Sequence, residues 1–447
     1  MAWMLILLGV LVLAAITLLL LRPTRYSRSK NDAKRIQIVV LGDIGRSPRM
    51  QYHAMSLARH GYTVDIIGYK ESDIHPALDS DSKVHIVPIP PWPRKWQTDD
   101  RKLFVLMAPL KVIWQTWGLF AAMSYETSPS RFVLVQNPPS IPTLLIARVA
   151  CILRNTTFCI DWHNFGHSIL ALKLGPSHPL VRISHFYEYF VTKDAPINFT
   201  VTAAMARVLR EKHDRTGVVP LYDRPPAHFQ PCPSATARSE GFLSLATQQS
   251  WPVDFSSSPL SPRVIVSSTS WTPDEDFSLL LTALSSYSAA AKSNSLPPII
   301  AIITGKGPQK EYYLSKITEM QGHGKLTHVR ILTAWLSIED YARLLSYAHL
   351  GVSLHTSSSG VDLPMKVVDM FGAGLPVVGW DRFEAWSELV QEGMNGRGFG
   401  SAEALGDLLV ELMGDEKQMQ KLREGAEKET QRRWNDEWEE KAGKIFE

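Results

Sequence analysis

The stretch Arg35–Gly68, RIQIVVLGDIGRSPRMQYHAMSLARHGYTVDIIG, decides the fold. An apolar run rich in β-branched residues, Arg35 to Leu41, breaks at Gly42-Asp43-Ile44-Gly45-Arg46-Ser47-Pro48. Met50, Ala54, Leu57 and Ala58 then recur at helical spacing up to His60. After Gly61 a second apolar run, Val64 to Gly68, follows. Strand, glycine loop, helix and strand open a βαβ unit.

Outward from there the pattern repeats. Val84–Val87, Phe132–Val135 and Thr157–Asp161 read as further buried strands with helical stretches between them. A second series begins at Val264–Ser268 and runs through Ile299–Gly305, Val329–Leu332, Leu350–Leu354 and Pro376–Gly379. Apolar runs alternating with helices argue for parallel, doubly wound sheets. The expectation is an α/β protein of two Rossmann-like domains, 36–223 and 264–425, facing a cleft. A Pro- and Ser-rich linker or loop, 224–263, joins them, and a C-terminal helix, 426–447, ends the chain. Ligands of such sheets bind beyond the carboxyl ends of the strands.

The 447 residues suffice for more than one core. Hydrophobic residues at 45% and charged residues at 20% exclude a disordered or polytopic membrane chain. Three cysteines, Cys151, Cys159 and Cys232, give neither a disulfide framework nor zinc spacing. Between Arg22 and Arg35 lie six basic side chains and one acid, in a chain whose net charge is only +3. The body is therefore near neutral, and a nucleic-acid partner is not expected.

That basic segment, 23–35, follows 20 residues, Ala2 to Leu21, without a charge. At about 1.5 Å per residue these reach about 30 Å, the thickness of a bilayer core. No basic side chain precedes the run and no small-residue cleavage site follows it, which favours a transmembrane anchor, 1–22, over a signal peptide. The positive flank places the body in the cytosol. Leu103–Met123, apolar and aromatic with Lys111 as its one charge, reads as a core helix or as an interfacial one.

Five motifs carry chemistry. His355–Val377, HTSSSGVDLPMKVVDMFGAGLPV, follows a strand with a small hydroxylated loop and then a helix. Free N–H groups at that helix start attract phosphate, with Lys366 as a point charge. Asp369, three residues on, is placed to accept ribose hydroxyls. Ser358, Ser359, Gly360 and Asp362 complete the expected phosphate- and ribose-binding set with Lys306, from Thr304-Gly305-Lys306-Gly307-Pro308, which the family resemblance below makes a donor-binding set. Asp274 and Asp276 spell DxD, but Thr272-Pro273 with Glu275 reads as a capping box, so no metal is expected. Gly42, Asp43, Gly45 and Arg46 form a loop lining the cleft, with Arg46 and Arg49 either anion contacts or solvated; with Asn137 this loop is the acceptor-binding set that the family resemblance below implies. Asp161-Trp162-His163 follows a strand, and either Asp161 or His163 can act as a general base, with Asp43 as rival.

Taken together, residues 41–62, QNPPSIP (136–142), DWHNFGHSI (161–169), 267–284, ITGKGP (303–308) and 355–377 resemble the chitobiosyldiphosphodolichol beta-mannosyltransferase family of the dolichol pathway. The resemblance implies a GT-B fold and an inverting transfer of mannose from GDP-mannose to GlcNAc2-diphosphodolichol, the first mannosylation of the N-glycan lipid precursor. It implies no cofactor beyond the donor substrate. It also implies a single-pass protein of the endoplasmic reticulum membrane with other dolichol-pathway mannosyltransferases as partners. Lys366 and Asp369 match the family's P-x-K-x-x-[DE] pattern. Asp362 and Asp369 are seven apart where many such enzymes place their acidic pair eight apart, which leaves the role of Asp362 open. The alternatives are a GT-B transferase using another sugar nucleotide and a non-catalytic scaffold of dolichol-pathway transferases.

Overall fold

The structure, a computed structural model, describes residues 22–28, 34–93, 96, 101–253, 259–272 and 274–447. Residues 1–21 of the expected anchor, 1–22, and part of the basic segment after it lie outside the described residues. Among the described residues no helix is long and apolar enough to cross a membrane.

The described chain divides into two compact units. The first holds residues up to Thr200, Val208–Val219 and Phe446–Glu447; the second holds Val201–Arg207 and Pro220–Ile445.

In the first unit the strands are β1 (Arg35–Asp43), β2 (Thr63–Tyr69), β3 (Val84–Pro88), β4 (Phe132–Asn137), β5 (Thr157–Trp162), β6 (Ile197–Thr200) and β7 (Val218–Pro220). They lie in the order β3-β2-β1-β4-β5-β6-β7, and the registered pairs are parallel. The helices are α1 (Pro48–Arg59), α2 (Pro76–Asp79), α3 (Arg101–Ser124), α4 (Thr143–Arg154), α5 (Gly166–Leu174) and α6 (Pro179–Val191). Helix α7 (Ala203–Glu211) carries residues of both units. The central strands read as continuous apolar runs because helices cover both faces; Ile36, Ile38, Val39, Leu134 and Ile160 are fully buried.

The second unit contains α8 (Ala235–Gln248), β8 (Arg263–Ser268), α9 (Phe277–Asn294), β9 (Ile299–Thr304), α10 (Lys310–Gly322), β10 (Val329–Ala334), α11 (Ile338–Tyr347), β11 (Leu350–Ser353), α12 (Met365–Gly372), β12 (Val377–Trp380), α13 (Trp386–Leu389), β13 (Gly396–Phe399), α14 (Ala402–Gly414), α15 (Glu416–Glu429) and α16 (Trp434–Lys441). Its sheet runs β10-β9-β8-β11-β12-β13, again with parallel pairs. Both sheets reverse their winding at the centre, between β1 and β4 and between β8 and β11. A ligand site belongs at such switch points.

Three expectations are corrected. Segment 224–263 is not linker or loop throughout: Ser234 caps α8 by accepting from Ala237 N, Phe242 and Leu245 pack into the second unit's core, and Ala246 is buried. No helix runs from 426 to the end. Helix α15 stops at Glu429, α16 follows, and Phe446 packs in the first unit, where Tyr62 Oη donates to its carbonyl at 2.6 Å among the rings of Tyr62, Phe132 and Phe199. The capping box at Thr272 does not form either. Helix α9 begins at Phe277, capped by Asp276, whose side chain accepts from Ser278 N at 2.9 Å.

Candidate functional site

In the second unit, the carboxyl ends of β8, β9 and β10 and the start of α12 line a cavity of about 400 Å³. Ser268 and Thr269 come from β8 and its loop, Thr304 and Gly305 from β9, and Trp335 from the end of β10; Tyr341 lies on α11, and Lys366 and Asp369 on α12. The loops after β8 and β9 are in backbone contact: a Cβ on Gly305, whose φ is +130°, would lie 1.8 Å from the Thr269 carbonyl oxygen. Only glycine tolerates both that approach and that φ.

Lys366 is held by Glu275, with Ser270 Oγ at 3.4 Å. Glu275 is buried and also accepts from Thr269 Oγ1 at 2.9 Å and from Ser270 N at 2.5 Å. The acid expected to cap a helix instead fixes the ammonium at the cavity wall. No spacing rule reveals this, because its partner lies 91 residues away.

Asp369 is crowded by protein. Burial, with the Asp223 carboxylate nearby, pushes its pKa up to about 7. A raised folded pKa means that folding takes up a proton between about 4 and about 7, so stability falls as pH rises through that window. Asp369→Asn should therefore melt a few degrees above the parent at pH 8, with the gap closing toward pH 4. Calorimetric melting across that range checks it, and a constant gap would reject it.

The other donor-side residues divide. Asp362 is buried and organises its own loop, accepting from Ser357 Oγ, from Ser359 Oγ at 3.3 Å and from His355 Nε2 at 3.0 Å. Burial pushes its pKa up, but His355 and Ser357 outweigh that and hold it low. Ser358 and Gly360, at φ +77°, lie in the same loop, outside the cavity lining. Lys306 leaves the cavity and stacks over the Trp335 ring, 4.1 Å from its centre. A larger cavity of about 600 Å³ opens beside Tyr222 and Arg224. It holds neither Lys366 nor Asp369, and its Arg224 is paired with Glu437 at 2.6 Å.

In the first unit, β5 delivers Asp161 and His163. Asp161 is fully buried and bound two-pronged by Arg49, Nε to Oδ2 at 2.7 Å and Nη2 to Oδ1 at 2.9 Å. Arg49, on α1, is itself buried, so it is neither solvated nor on a surface. His163 Nε2 lies 3.0 Å from Asp161 Oδ2, and buried His53 lies 3.3 Å away. Burial alone would raise the Asp161 pKa; Arg49 and His163 hold it well below the carboxylate range. Asp161 is thus a fixed anion that sets the His163 ring, while His163 is about a quarter exposed. With Nε2–H donated to Asp161, Nδ1 keeps the lone pair.

Behind this pair, buried Glu188 ties two loops. It accepts from Ser140 Oγ at 2.6 Å, Asn137 Nδ2 at 3.2 Å, and Gly166 N and His167 N at 2.7 and 3.1 Å. Asn137 is fully buried, with its Nδ2 committed to Glu188 and to the Asn164 carbonyl and its Oδ1 without a hydrogen-bond partner. Asp43 spends one oxygen on the N–H groups of Gly45, Glu71 and Ser72, at 3.1–3.3 Å, which shapes the Gly42–Arg46 loop. Arg46 is largely exposed above it. Among the described residues no cluster of three or more His, Cys, Asp or Glu side chains is arranged to hold a metal.

Comparisons with known proteins match this division. Residues 45–221 fit the glycosyl transferase 4-like domain and 262–415 the glycosyl transferases group 1 family. Over 437 residues, 97% of this chain and 95% of the relative, the sequence is 48% identical to chitobiosyldiphosphodolichol beta-mannosyltransferase of Arthroderma benhamiae. The mouse protein of that name is 37% identical over 465 residues, covering 96% and 93% of the two chains. Among solved structures, Anabaena Alr3699/HepE in complex with UDP and glucose superposes with a TM-score of 0.61 at 15% identity, covering 91% and 98%. Sucrose-phosphate synthase from Thermosynechococcus elongatus gives 0.62 at 13%, covering 91% and 96%. These distant structures bear on the fold alone.

Proposed function

The chain belongs to the chitobiosyldiphosphodolichol beta-mannosyltransferase family, and from that premise we propose how its two units share the reaction. It is a glycosyltransferase that places the first mannose on dolichol-linked chitobiose diphosphate, giving Manβ1,4-GlcNAc2-diphosphodolichol. GDP-mannose is the donor in this proposal. The observation that carries it is the cavity at the carboxyl ends of β8, β9 and β10, where Lys366 and Asp369 project from the first turns of α12.

The diphosphate sits at the N-terminus of α12, where free N–H groups and Lys366 balance its charge. Asp369 accepts from the ribose hydroxyls. In the first unit, His163 Nδ1 takes the proton from the acceptor hydroxyl, and that oxygen attacks the anomeric carbon. The bond to GDP breaks on the opposite face, so the configuration inverts. The charge that develops on GDP is met by Lys366 and the helix N-terminus. Asp161 steadies the imidazolium without itself taking the proton. In the same proposal, residues 2–21 hold the chain in the endoplasmic reticulum membrane with its body in the cytosol, beside other transferases of the pathway.

The full chain in detergent, given GDP-mannose and a short-lipid GlcNAc2-diphosphate, should yield a product one hexose heavier that β-mannosidase cleaves. No product with GDP-mannose, but turnover with another sugar nucleotide, would overturn the donor assignment. Lys366→Ala should weaken GDP-mannose binding by about 1.5–3 kcal/mol, the worth of a charge-assisted contact, or about 10- to 150-fold. Calorimetry checks it. A paired Lys366→Ala/Glu275→Gln variant separates lost phosphate binding from the loss of Glu275's counter-ion, and unchanged donor affinity in both would remove Lys366 from the phosphate site.

A further inference from the structure

Helix α6 is built inside out. Its buried face carries Ser184 and Glu188 beside Val181 and Val191, while Leu180, Ile183, Phe186 and Phe190 point outward. Ile183 is 58% exposed and Phe186 65%. An amphipathic helix on a water-facing surface has the reverse pattern. Phe186 and Phe190 stack on each other at 6.0 Å, an apolar ridge with the Arg148 guanidinium at its edge, 5.8 Å from the centre of the Phe190 ring.

The ridge continues onto two neighbours. On α4, Leu145, Val149 and Ile152 project at helical spacing, with Ile152 64% exposed. On α3, Leu110, Ile113 and Trp117 do the same, and Trp114 closes a cluster with Trp92 and Trp96 at 6.1–6.3 Å. The three helices are bonded together. Arg148 Nη1 donates to Phe190 O at 3.1 Å and Tyr187 Oη to Pro142 O at 3.3 Å, joining α4 to α6. Arg154 donates to Met123 O, at the end of α3, and to Thr127 O at 2.9 Å. Large apolar side chains exposed on three helices that are bonded together mark an interaction site.

What covers it is indicated by where the chain arrives. Tyr26 N donates to Arg154 O at 2.7 Å, Arg154 Nε to Thr24 O at 3.2 Å and Asn155 Nδ2 to Tyr26 O at 3.3 Å. Residues 24–26 are therefore pinned to the C-terminal end of α4, next to Ile152. The uncharged run 2–21 ends three residues before Thr24, at most about 11 Å of chain away. Exposed Arg22, Arg25 and Arg28 mark that junction, and Lys111 and Arg182 stand exposed on α3 and α6. Tryptophan, aliphatic and phenylalanine side chains fringed by basic residues suit the boundary between headgroups and acyl chains.

We propose that the outer surface of α3, α4 and α6 is a membrane-docking face, lying in the headgroup region of the bilayer that residues 2–21 enter. The inference rests on the reading of 2–21 as an anchor and deepens it: the body lies on the membrane rather than hanging from a tether. The apolar side chains sit about 5–10 Å into the interface and the basic fringe meets anionic lipids.

The test uses the full chain with Cys232→Ser, since Cys151 and Cys159 are buried. Single cysteines at Ile113→Cys, Ile152→Cys or Phe186→Cys carry an environment-sensitive fluorophore, with Lys421→Cys of the second unit as reference. The protein is reconstituted into phosphatidylcholine vesicles containing about a quarter phosphatidylserine. The three face labels should shift to the blue and lose most of their emission to nitroxide-bearing acyl chains, while the Lys421 label does neither. Face labels that stay water-like in a chain that floats with the vesicles would overturn the docking face and leave the anchor standing. Labels shielded from water but unquenched by lipid would overturn it in favour of a protein partner or a second copy. A chain that fails to float would overturn both readings.

Discussion

Arg49→Met should destabilise the first unit by about 3–5 kcal/mol, the cost of leaving a buried carboxylate without its counter-charge. Asp161 is fully enclosed, and Arg49 supplies its two strongest bonds. The remaining neighbours, His53 and His163, replace that guanidinium only by taking up protons, and burial disfavours the charged form of His53. Hydrogen exchange at the β5 amides during urea denaturation reads the loss in the right place. The pH dependence has a definite sign. The Asp161 pKa is lowered on folding, so its contribution is present above the ordinary carboxylate range and is lost only as pH falls through the depressed value. Pairing Arg49→Met with Asp161→Leu should recover part of the loss, since an apolar pair carries no stranded charge. If Arg49→Met alone were neutral, Asp161 would not depend on this pair.

The second large effect concerns rate. His163→Ala should lower kcat by about 10²–10⁴, the usual worth of a general base, with the KM for GDP-mannose close to the parent's. The ring is partly exposed and its removal leaves Arg49 on Asp161, so the melting temperature should hold. Asp161→Asn should lower kcat less than His163→Ala while destabilising the unit more, because Asp161 acts through the ring and through the core. A His163→Ala enzyme that turned over at the parent rate would move the base elsewhere, with Asp43 the next group to test.

The architecture was legible wherever strands were long and buried on both faces. Arg35–Leu41 and Ile299–Gly305 could not be anything else. The strands that sequence reading passed over, Ile197–Thr200, Val218–Pro220 and Gly396–Phe399, have four residues or fewer and owe their conformation to neighbours. Helix α8 was hidden by Ser and Pro composition, although Ser234 is an ordinary cap. The phosphate-type helix start at Lys366 was visible because its parts are local in sequence. The Glu275–Lys366 and Arg49–Asp161 pairs were not, since their members stand 91 and 112 residues apart. Local spacing favoured reading Glu275 as a cap and Arg49 as a surface cation. Tertiary placement gave Arg49 to a buried ion pair and Glu275 to one at the cavity wall.

Phe446 has a consequence for the order of assembly during synthesis. Its ring fills the space among Tyr62, Phe132 and Phe199, all laid down before residue 200. Domains commonly finish folding as they leave the ribosome, N-terminal ones first. Here the earlier-made unit keeps an unfilled aromatic socket until more than two hundred further residues have been translated. A fragment ending near residue 220 would carry that socket open, with Tyr62 Oη deprived of its acceptor, and would be a poor stand-in for the unit in isolation.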